Sequence, residues 1–499
     1  MEPIGETTFD LVIAGTGLAQ SLLALALSRE GKKILHVDKN AYYGGSEAAL
    51  SLQDAHDWAD SVGKGSTRFS DATITTASDH SSKLGFSRSY SLALAPQVVY
   101  SKAALLPTLV SSKIYRQLEF LAVGAWWTYQ KNGQEDGELK KIPGSREDVF
   151  ADKTIDLRSK RALMNFLKLV TDLEAYGEAM ETWGEKSFEE FLTQEYKIST
   201  SLQPMLHALT LSPQSAAQTK TVFALPRILR HLSSIGVFGP GFGSVIPKWG
   251  GLAEITQVAC RACAVGGGIY MLSKGVSDIA LVDEDGVSSI KLDDDQHVKT
   301  RWIAGRSDDL PMQEGQRTAI TKSITIVDSA LKRLFPVIAD GAPPASCSIV
   351  VFPPGSLSIA DSISTTPVYL TVHNSDTGEC PEGQSVLYGS IAGIAAEGKQ
   401  WLNQATRSLL ASLSLDKEAE HILWTLSYAQ VENTKAENIE EGPVVEKSQI
   451  QFSEASTDLV FDDLVLREVR KAWQQVTGKV NGFMEFEDRE AGEYDEDEI

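Results

Sequence analysis

With 499 residues, 42% of them hydrophobic and 23% charged, the chain has the composition of an ordinary folded protein and the length for two or three domains. A formal net charge of −21 argues against nucleic acid and anionic lipid surfaces as partners and suits basic protein surfaces. No apolar run reaches the ~18–20 residues of a membrane-spanning helix, and four cysteines are too few for a disulfide framework.

The opening MEPIGETTFD has neither a basic nor an apolar leader region, and the closing YDEDEI is no prenylation box, so the expected compartment is the cytosol. Phe9-Asp-Leu-Val-Ile-Ala14 reads as a strand meeting Gly15-Thr-Gly17. Leu18 to Leu27 follows with strong helix formers, and Ile34-Leu-His-Val-Asp38 is a second strand ending in a carboxylate. Strand, glycine turn, helix and strand make a βαβ unit, with the acid 38 − 15 = 23 residues beyond the first glycine, near the ~20 of a dinucleotide fingerprint. The third glycine of that fingerprint is missing, because Gln20 stands there. A long polar side chain projects where a glycine leaves room for phosphate, so the pattern Gly15, Gly17, Gln20, Asp38 is degenerate and no FAD or NAD is expected. Tyr42-Tyr43-Gly44-Gly45 then suggests a tight turn presenting its rings.

Residues 53–90 are rich in Ser, Thr, Asp and Gly and read as a polar surface excursion. From about 155 to 235 the pattern is helical. Leu163, Phe166, Leu167 and Val170 share one face, Ser187-Phe-Glu-Glu190 is a capping box, and Ile228, Leu229 and Leu232 mark a further helix. An inserted, mainly helical domain is therefore placed at 123–235, interrupting a Rossmann-like domain of 1–122 and 236–480. Its helices either pack only on themselves or leave an apolar groove that holds a lipid. The boundary at 236–251 carries six glycines and two prolines. Beyond it, Ala253–Val265 reads as a helix, and 323–327, 348–352, 368–372 and 422–428 as strands. Nine acidic residues against one basic in 485–499 indicate a solvated, disordered tail.

Catalytic patterns are missing. The eight histidines show no HxH, HxxxH or HExxH spacing, so no metal is expected, and Cys260-Arg-Ala-Cys263 lies inside a helix without a second pair to complete a zinc site. There is no GxSxG and no P-loop.

The blocks Asp10–Gly17, Gly31–Asp38, Tyr42–Gly45 and Glu254–Leu272 resemble those of the Rab GDP-dissociation inhibitor and Rab escort superfamily. The similarity is also strong in 98–120 and 141–168, and weaker elsewhere to about 480. The resemblance implies an α/β, FAD/NAD-binding (Rossmann-like, GDI-type) multi-sheet fold with an inserted helical second domain. It further implies a Rab-binding platform of Tyr43, Glu254, Gln257, Arg261 and Met271. Glu254, Gln257 and Arg261 fall on one helix face, and with Tyr43 and Met271 they make a polar and aromatic hot-spot patch. Val99–Leu105 and Ile142-Pro-Gly-Ser-Arg146-Glu-Asp-Val-Phe150 are similar to the escort versions of their segments, and Cys260 and Cys263 also fit that branch. The chain is much shorter than animal escorts, and Pro247-Lys-Trp-Gly-Gly-Leu departs from the family's Pro-Leu-Tyr-Gly, so no residue is carried across 247–253.

On this resemblance the chain is a non-catalytic accessory. It would bind newly made GDP-bound Rab GTPases, present them to the Rab geranylgeranyl transferase alpha/beta heterodimer, shield the geranylgeranyl lipid in the helical insertion and deliver the Rab to membranes. The implied localisation is cytoplasmic with a peripheral membrane fraction. The alternatives are a dissociation inhibitor that recycles prenylated Rab and, more distantly, an FAD-dependent oxidoreductase.

Overall fold

The structure, a computed structural model, describes residues 7–487 apart from 64–65, 67, 78–82, 132–136, 145, 154, 170–171, 281–285, 312–316, 338, 343, 394, 414–420, 434–442 and 447. Among these residues the chain forms two large sheets, one of eight strands and one of ten.

The first sheet grows from the βαβ unit expected at the N-terminus. Strand Thr8–Ala14 lies between Ile34–Asp38 and His297–Arg306, parallel to both, and Ile269–Leu272 adds a parallel edge beyond Ile34–Asp38. Strands Ser288–Leu292 and Val276–Ala280 continue the other side as an antiparallel meander. A sheet covered on both faces needs apolar side chains on both, and the two cores beside this one divide along the alternation of the first strand. Leu11 and Ile13 face helices Leu18–Leu27, Leu252–Val265 and Leu464–Thr477. Val12 and Ala14 face the other way, into the core that includes Ile290 and Leu292 of the meander, and Phe9 at the start of the strand joins that core out of step with the alternation. All ten residues of Leu18–Leu27 are buried, which explains why its sequence is apolar apart from Gln20 and Ser21. Leu464–Thr477 is amphipathic instead and buries Leu466, Val469, Trp473 and Val476 along one stripe.

The second sheet contains all four later strands expected from the sequence, within Arg317–Val327, Ala345–Phe352, Val368–Asn374 and Ile422–Asn433. It also overturns one expectation. The 53–90 segment is no plain surface excursion: it contains helix Leu52–Val62, with a Ser51–Asp54 capping box, and strand Phe69–Thr76, paired to Ile422–Asn433. Leu52, Ala55, Trp58 and Val62 line the buried side of that helix. Its polar residues are the solvent side of an amphipathic helix and of an edge strand, so composition outweighed periodicity there.

The helical insertion begins later than expected. Phe120–Gln130 and Glu138–Lys141 are strands of the second sheet, and the run of six helices spans 146–234. Phe120–Gln130 also pairs with Ser244–Pro247, Leu121 opposite Ile246, so the strand before the helices, Glu138–Lys141, and the strand after them both pair with Phe120–Gln130. Within the insertion Leu163 and Phe166 are buried and Leu167 is half-buried, while Val170 lies outside the described residues. The capping box forms as expected: Ser187 Oγ accepts from the Glu190 amide at 3.2 Å, and the Glu190 carboxylate accepts from the Ser187 amide at 3.4 Å. The first residues of the stretch expected to be a tail are held by the fold. The Phe486 amide donates to the Ser111 carbonyl and Arg29 sits 4.5 Å over the Phe486 ring; residues 488–499 lie outside the described residues.

Candidate functional site

The glycine turn joins the first strand to the first helix. Gly15 has φ +82°, a conformation that favours glycine, and its amide donates to the Val37 carbonyl at 2.8 Å. Asp38 ends the neighbouring strand, where a dinucleotide fold uses an acid to take ribose hydroxyls. Here the chain engages both of its oxygens. Oδ2 accepts from the Thr16 amide at 2.7 Å and the Thr16 hydroxyl at 2.5 Å, and Oδ1 accepts from the Asn40 amide and side chain at 2.7 and 2.9 Å. Burial raises the Asp38 pKa, and these hydrogen bonds oppose the rise. Beneath it, His36 Nε2 donates to the Gly15 carbonyl at 2.5 Å, and burial lowers this imidazole to about 4.

Side chains crowd the space over the two glycines. Gln20 is fully buried, and its Nε2 donates to Asp309 Oδ2 at 2.9 Å and to the Ala14 carbonyl at 3.3 Å. A Cβ on Gly15 would come within 2.2 Å of Asp309 Oδ2, and one on Gly17 within 2.6 Å of Arg306 Nη1. Arg306 is itself buried against Glu47, with Nη1–Oε2 at 3.0 Å and Nη2–Oε1 at 2.7 Å. Burial and the neighbouring Asp308 raise the Asp309 carboxyl well above its ordinary pKa. A polar cleft of about 320 Å³ adjoins the turn, with Asp38, Asp308 and Asp309 among its lining. Carboxylates at a helix N-terminus occupy the position that suits a pyrophosphate.

A second feature stands on helix Leu252–Val265. Gly250 and Gly251 begin it at φ +133° and +62°, and a Cβ on Gly250 would lie 2.6 Å from that of Ala49, so the helix can start close against the 45–49 segment. The helix buries Ile255, Ala259 and Cys263 and presents Gln257 and Arg261 to solvent, with Glu254 half-buried beside them. Burial raises the Glu254 pKa and the Arg261 charge partly offsets it, so these two groups sense each other along the face. Tyr43, half-buried, has its ring 6.1 Å from that of Tyr270, and burial followed by the proximity of Cys260 raises its hydroxyl pKa. Cys260 is buried and pushed up to about 11, a poor nucleophile at neutral pH. Among the described residues no group of three or more His, Cys, Asp or Glu side chains is placed to hold a metal ion.

The third feature is an apolar cavity of about 330 Å³ in the helical insertion. Leu163, Leu167, Leu206, Leu209, Leu229 and Leu232 line it, together with Ile142, Pro143, Gly144 and Val149. Its volume falls at the lower end of the ~300–1,000 Å³ typical of small-molecule sites.

The profile described as "GDI: GDP dissociation inhibitor" matches residues 5–349, more than half of the chain. The chain belongs to the GDP dissociation inhibitor family. It is 31% identical to the "Rab proteins geranylgeranyltransferase component A" of Candida albicans over 395 residues, covering 76% of this chain and 59% of the relative. Against the protein of the same name from Saccharomyces cerevisiae it is 30% identical over 398 residues, covering 78% and 62%. The chain thus spans less than two thirds of the length of these relatives. In fold it is similar to the crystal structure of a Rab GDI from Plasmodium falciparum, with a TM-score of 0.66 at 19% identity over 95% of this chain and 99% of that one.

The residues singled out from sequence fall as follows in this GDP dissociation inhibitor fold. Glu254, Gln257 and Arg261 share one helix face, with Tyr43 near Cys260 of the same helix. Met271 does not join them on the same side of the sheet. It neighbours Tyr270 on the edge strand but packs on the opposite face, in the core of Val12, Val37 and Leu292. Sequence reasoning missed Glu47, Arg306 and Asp309, which carry no local motif and reach the turn only through folding. Trp249 was set aside with 247–253. It is exposed just ahead of the helix at φ +66°, under Lys248, whose Nζ is 4.6 Å from the ring centroid. The escort-like segment Ile142–Phe150 contributes Ile142 and Val149 to the cavity wall, and Ser145 within it lies outside the described residues.

Proposed function

We propose that this chain is a non-catalytic escort for small prenylated GTPases of the Rab class. It would hold the GDP-bound GTPase on the face of Tyr43, Glu254, Gln257 and Arg261. It would present the GTPase C-terminus to the geranylgeranyl transferase heterodimer, take up the new lipid in the helical insertion and release the GTPase at a membrane. The observation that carries this reading is the leucine-lined cavity in the insertion. A geranylgeranyl chain gains about 0.8 kcal/mol per CH₂ removed from water, so a protein that keeps it off membranes must offer an apolar space of this kind. The names of the two fungal relatives support the same reading.

No cofactor is assigned. Arg306, Asp309 and Gln20 crowd the phosphate approach, and Asp38 has both oxygens engaged, so the residues present do not fit a dinucleotide. This favours a binding protein over a flavin oxidoreductase. Among the described residues no helix is long and apolar enough to cross a membrane. The second reading, a dissociation inhibitor that extracts prenylated GTPases, uses the same face and cavity. The relatives' names and the cavity lining by Ile142 and Val149, from the escort-like segment, favour the first.

The deciding experiment is geranylgeranylation of a purified Rab GTPase by the transferase heterodimer, with and without this chain, after recording its visible spectrum. Strong stimulation that Arg261→Ala abolishes is the expected result. Extraction of prenylated GTPase from membranes without stimulation would select the inhibitor reading, and a flavin band would exclude both.

A further inference from the structure

The residues that fill the dinucleotide turn also reach the turn bearing Tyr43. Gly44 and Gly45, with φ +101° and +51°, follow Tyr43 directly, and a glycine pair leaves the ring before it free to wander unless it is anchored. Two buried anchors bracket the pair. Before it, the Gly44 amide donates at 2.9 Å to Thr16 Oγ1, whose hydroxyl proton goes to Asp38. After it, Glu47 is gripped through both oxygens by Arg306 from the end of strand His297–Arg306, and the Glu47 amide closes back on the Gly44 carbonyl at 2.8 Å. Thr16 is fully buried, and the Arg306 and Glu47 side chains are only 4% and 5% exposed. A bidentate guanidinium–carboxylate pair out of water is geometrically demanding, so it fixes position as well as contributing energy.

We propose that Thr16, Glu47 and Arg306 are positioning residues: the former cofactor turn has become a clamp that sets the Tyr43 ring against helix Leu252–Val265 for the protein partner. This rests on the reading of Tyr43 as part of the partner face. The clamp explains why the first glycine turn keeps its geometry although Asp38 and the phosphate approach are taken up by the chain itself.

The test is a double-mutant cycle on the full chain with a purified, GDP-loaded Rab GTPase, reading the dissociation constant. Glu47→Gln leaves Arg306 without its charge partner and threatens the fold, so Thr16→Val, which keeps the shape and loses the hydroxyl, is measured beside it, each with its thermal midpoint. We expect each variant to weaken binding about three- to tenfold in the wild-type background and less than twofold in a Tyr43→Ala background, since coupled residues are non-additive. Full loss factors retained in the Tyr43→Ala background would overturn the proposal. So would a fall in thermal midpoint with unchanged affinity. If Tyr43→Ala leaves binding intact while Arg261→Ala weakens it, the clamp is refuted and the partner face stands. If neither changes binding, the partner face has failed and the clamp with it.

Discussion

His373 Nδ1 lies 2.7 Å from Glu379 Oε2, and both side chains are wholly buried. The Tyr388 hydroxyl donates to the same carboxylate oxygen at 2.8 Å, and the backbone carbonyl of Glu379 accepts from the Ser91 amide. Burial alone would lower the imidazole pKa. Glu379, and after it Cys347, outweigh burial and raise it to about 10. The pair locks the 374–380 turn, whose Thr377 carbonyl accepts from the Trp249 amide ahead of helix Leu252–Val265.

Stability should therefore depend on this pair at alkaline pH. A histidine with its folded pKa above the unfolded value, ~6.5, contributes its full stabilisation below that value and loses it as pH rises through about 10. Urea unfolding between pH 6.5 and 10 is expected to show a decline that Glu379→Gln removes. That variant is expected to lose about 3 kcal/mol at pH 6.5, the cost of breaking a buried ion pair. An unchanged slope in the variant would assign the decline to other groups.

Arg261 is exposed, so its loss should leave the fold intact. Arg261→Ala is expected to weaken GTPase binding by about 2 kcal/mol, roughly thirtyfold, with no change in thermal midpoint. The Glu254 carboxyl should titrate higher in the variant, because the opposing positive charge is gone. Calorimetric binding and carboxyl-resolved NMR titration read the two effects separately.

Filling the cavity separates the lipid from the GTPase body. Leu229 is a half-buried wall residue. Leu229→Trp is expected to lower affinity for a geranylgeranylated peptide at least tenfold, about 1.4 kcal/mol, and to leave binding of an unprenylated, GDP-loaded GTPase within about twofold. Equal losses for both would place the lipid and the protein in one site.

Restoring the third glycine should not restore a flavin. In Gln20→Gly the Arg306–Glu47 pair and Asp309 still crowd the turn, Asp309 loses a hydrogen bond, and a buried helix gains a glycine. The expected cost is about 1–3 kcal/mol in denaturant unfolding, with no visible absorbance retained by the protein after incubation with FAD and removal of the free cofactor. A bound flavin spectrum would show that Gln20 alone closes the site.

Several parts of this molecule are legible in short windows of sequence. The βαβ unit to Asp38, helix Leu252–Val265 with its polar face, and the Ser187 cap each follow from periodicity or from a pair of residues three apart. Helix Leu52–Val62 was just as legible through Leu52, Ala55, Trp58 and Val62, but a polar composition hid it. Tertiary structure alone decided the rest. Asp309 meets Gln20 across 289 positions and Arg306 meets Glu47 across 259, so no local pattern announces either contact. Met271 turned away from the side of Tyr270 because neighbouring residues on a strand point to opposite faces, and only sheet packing determines which face meets helix Leu252–Val265. Leu163, Leu167, Leu229 and Leu232 were legible as parts of helix faces, whereas Leu206 and Leu209 were not. Whether such faces close on one another or leave a cavity depends on how they meet in three dimensions, and here they leave one.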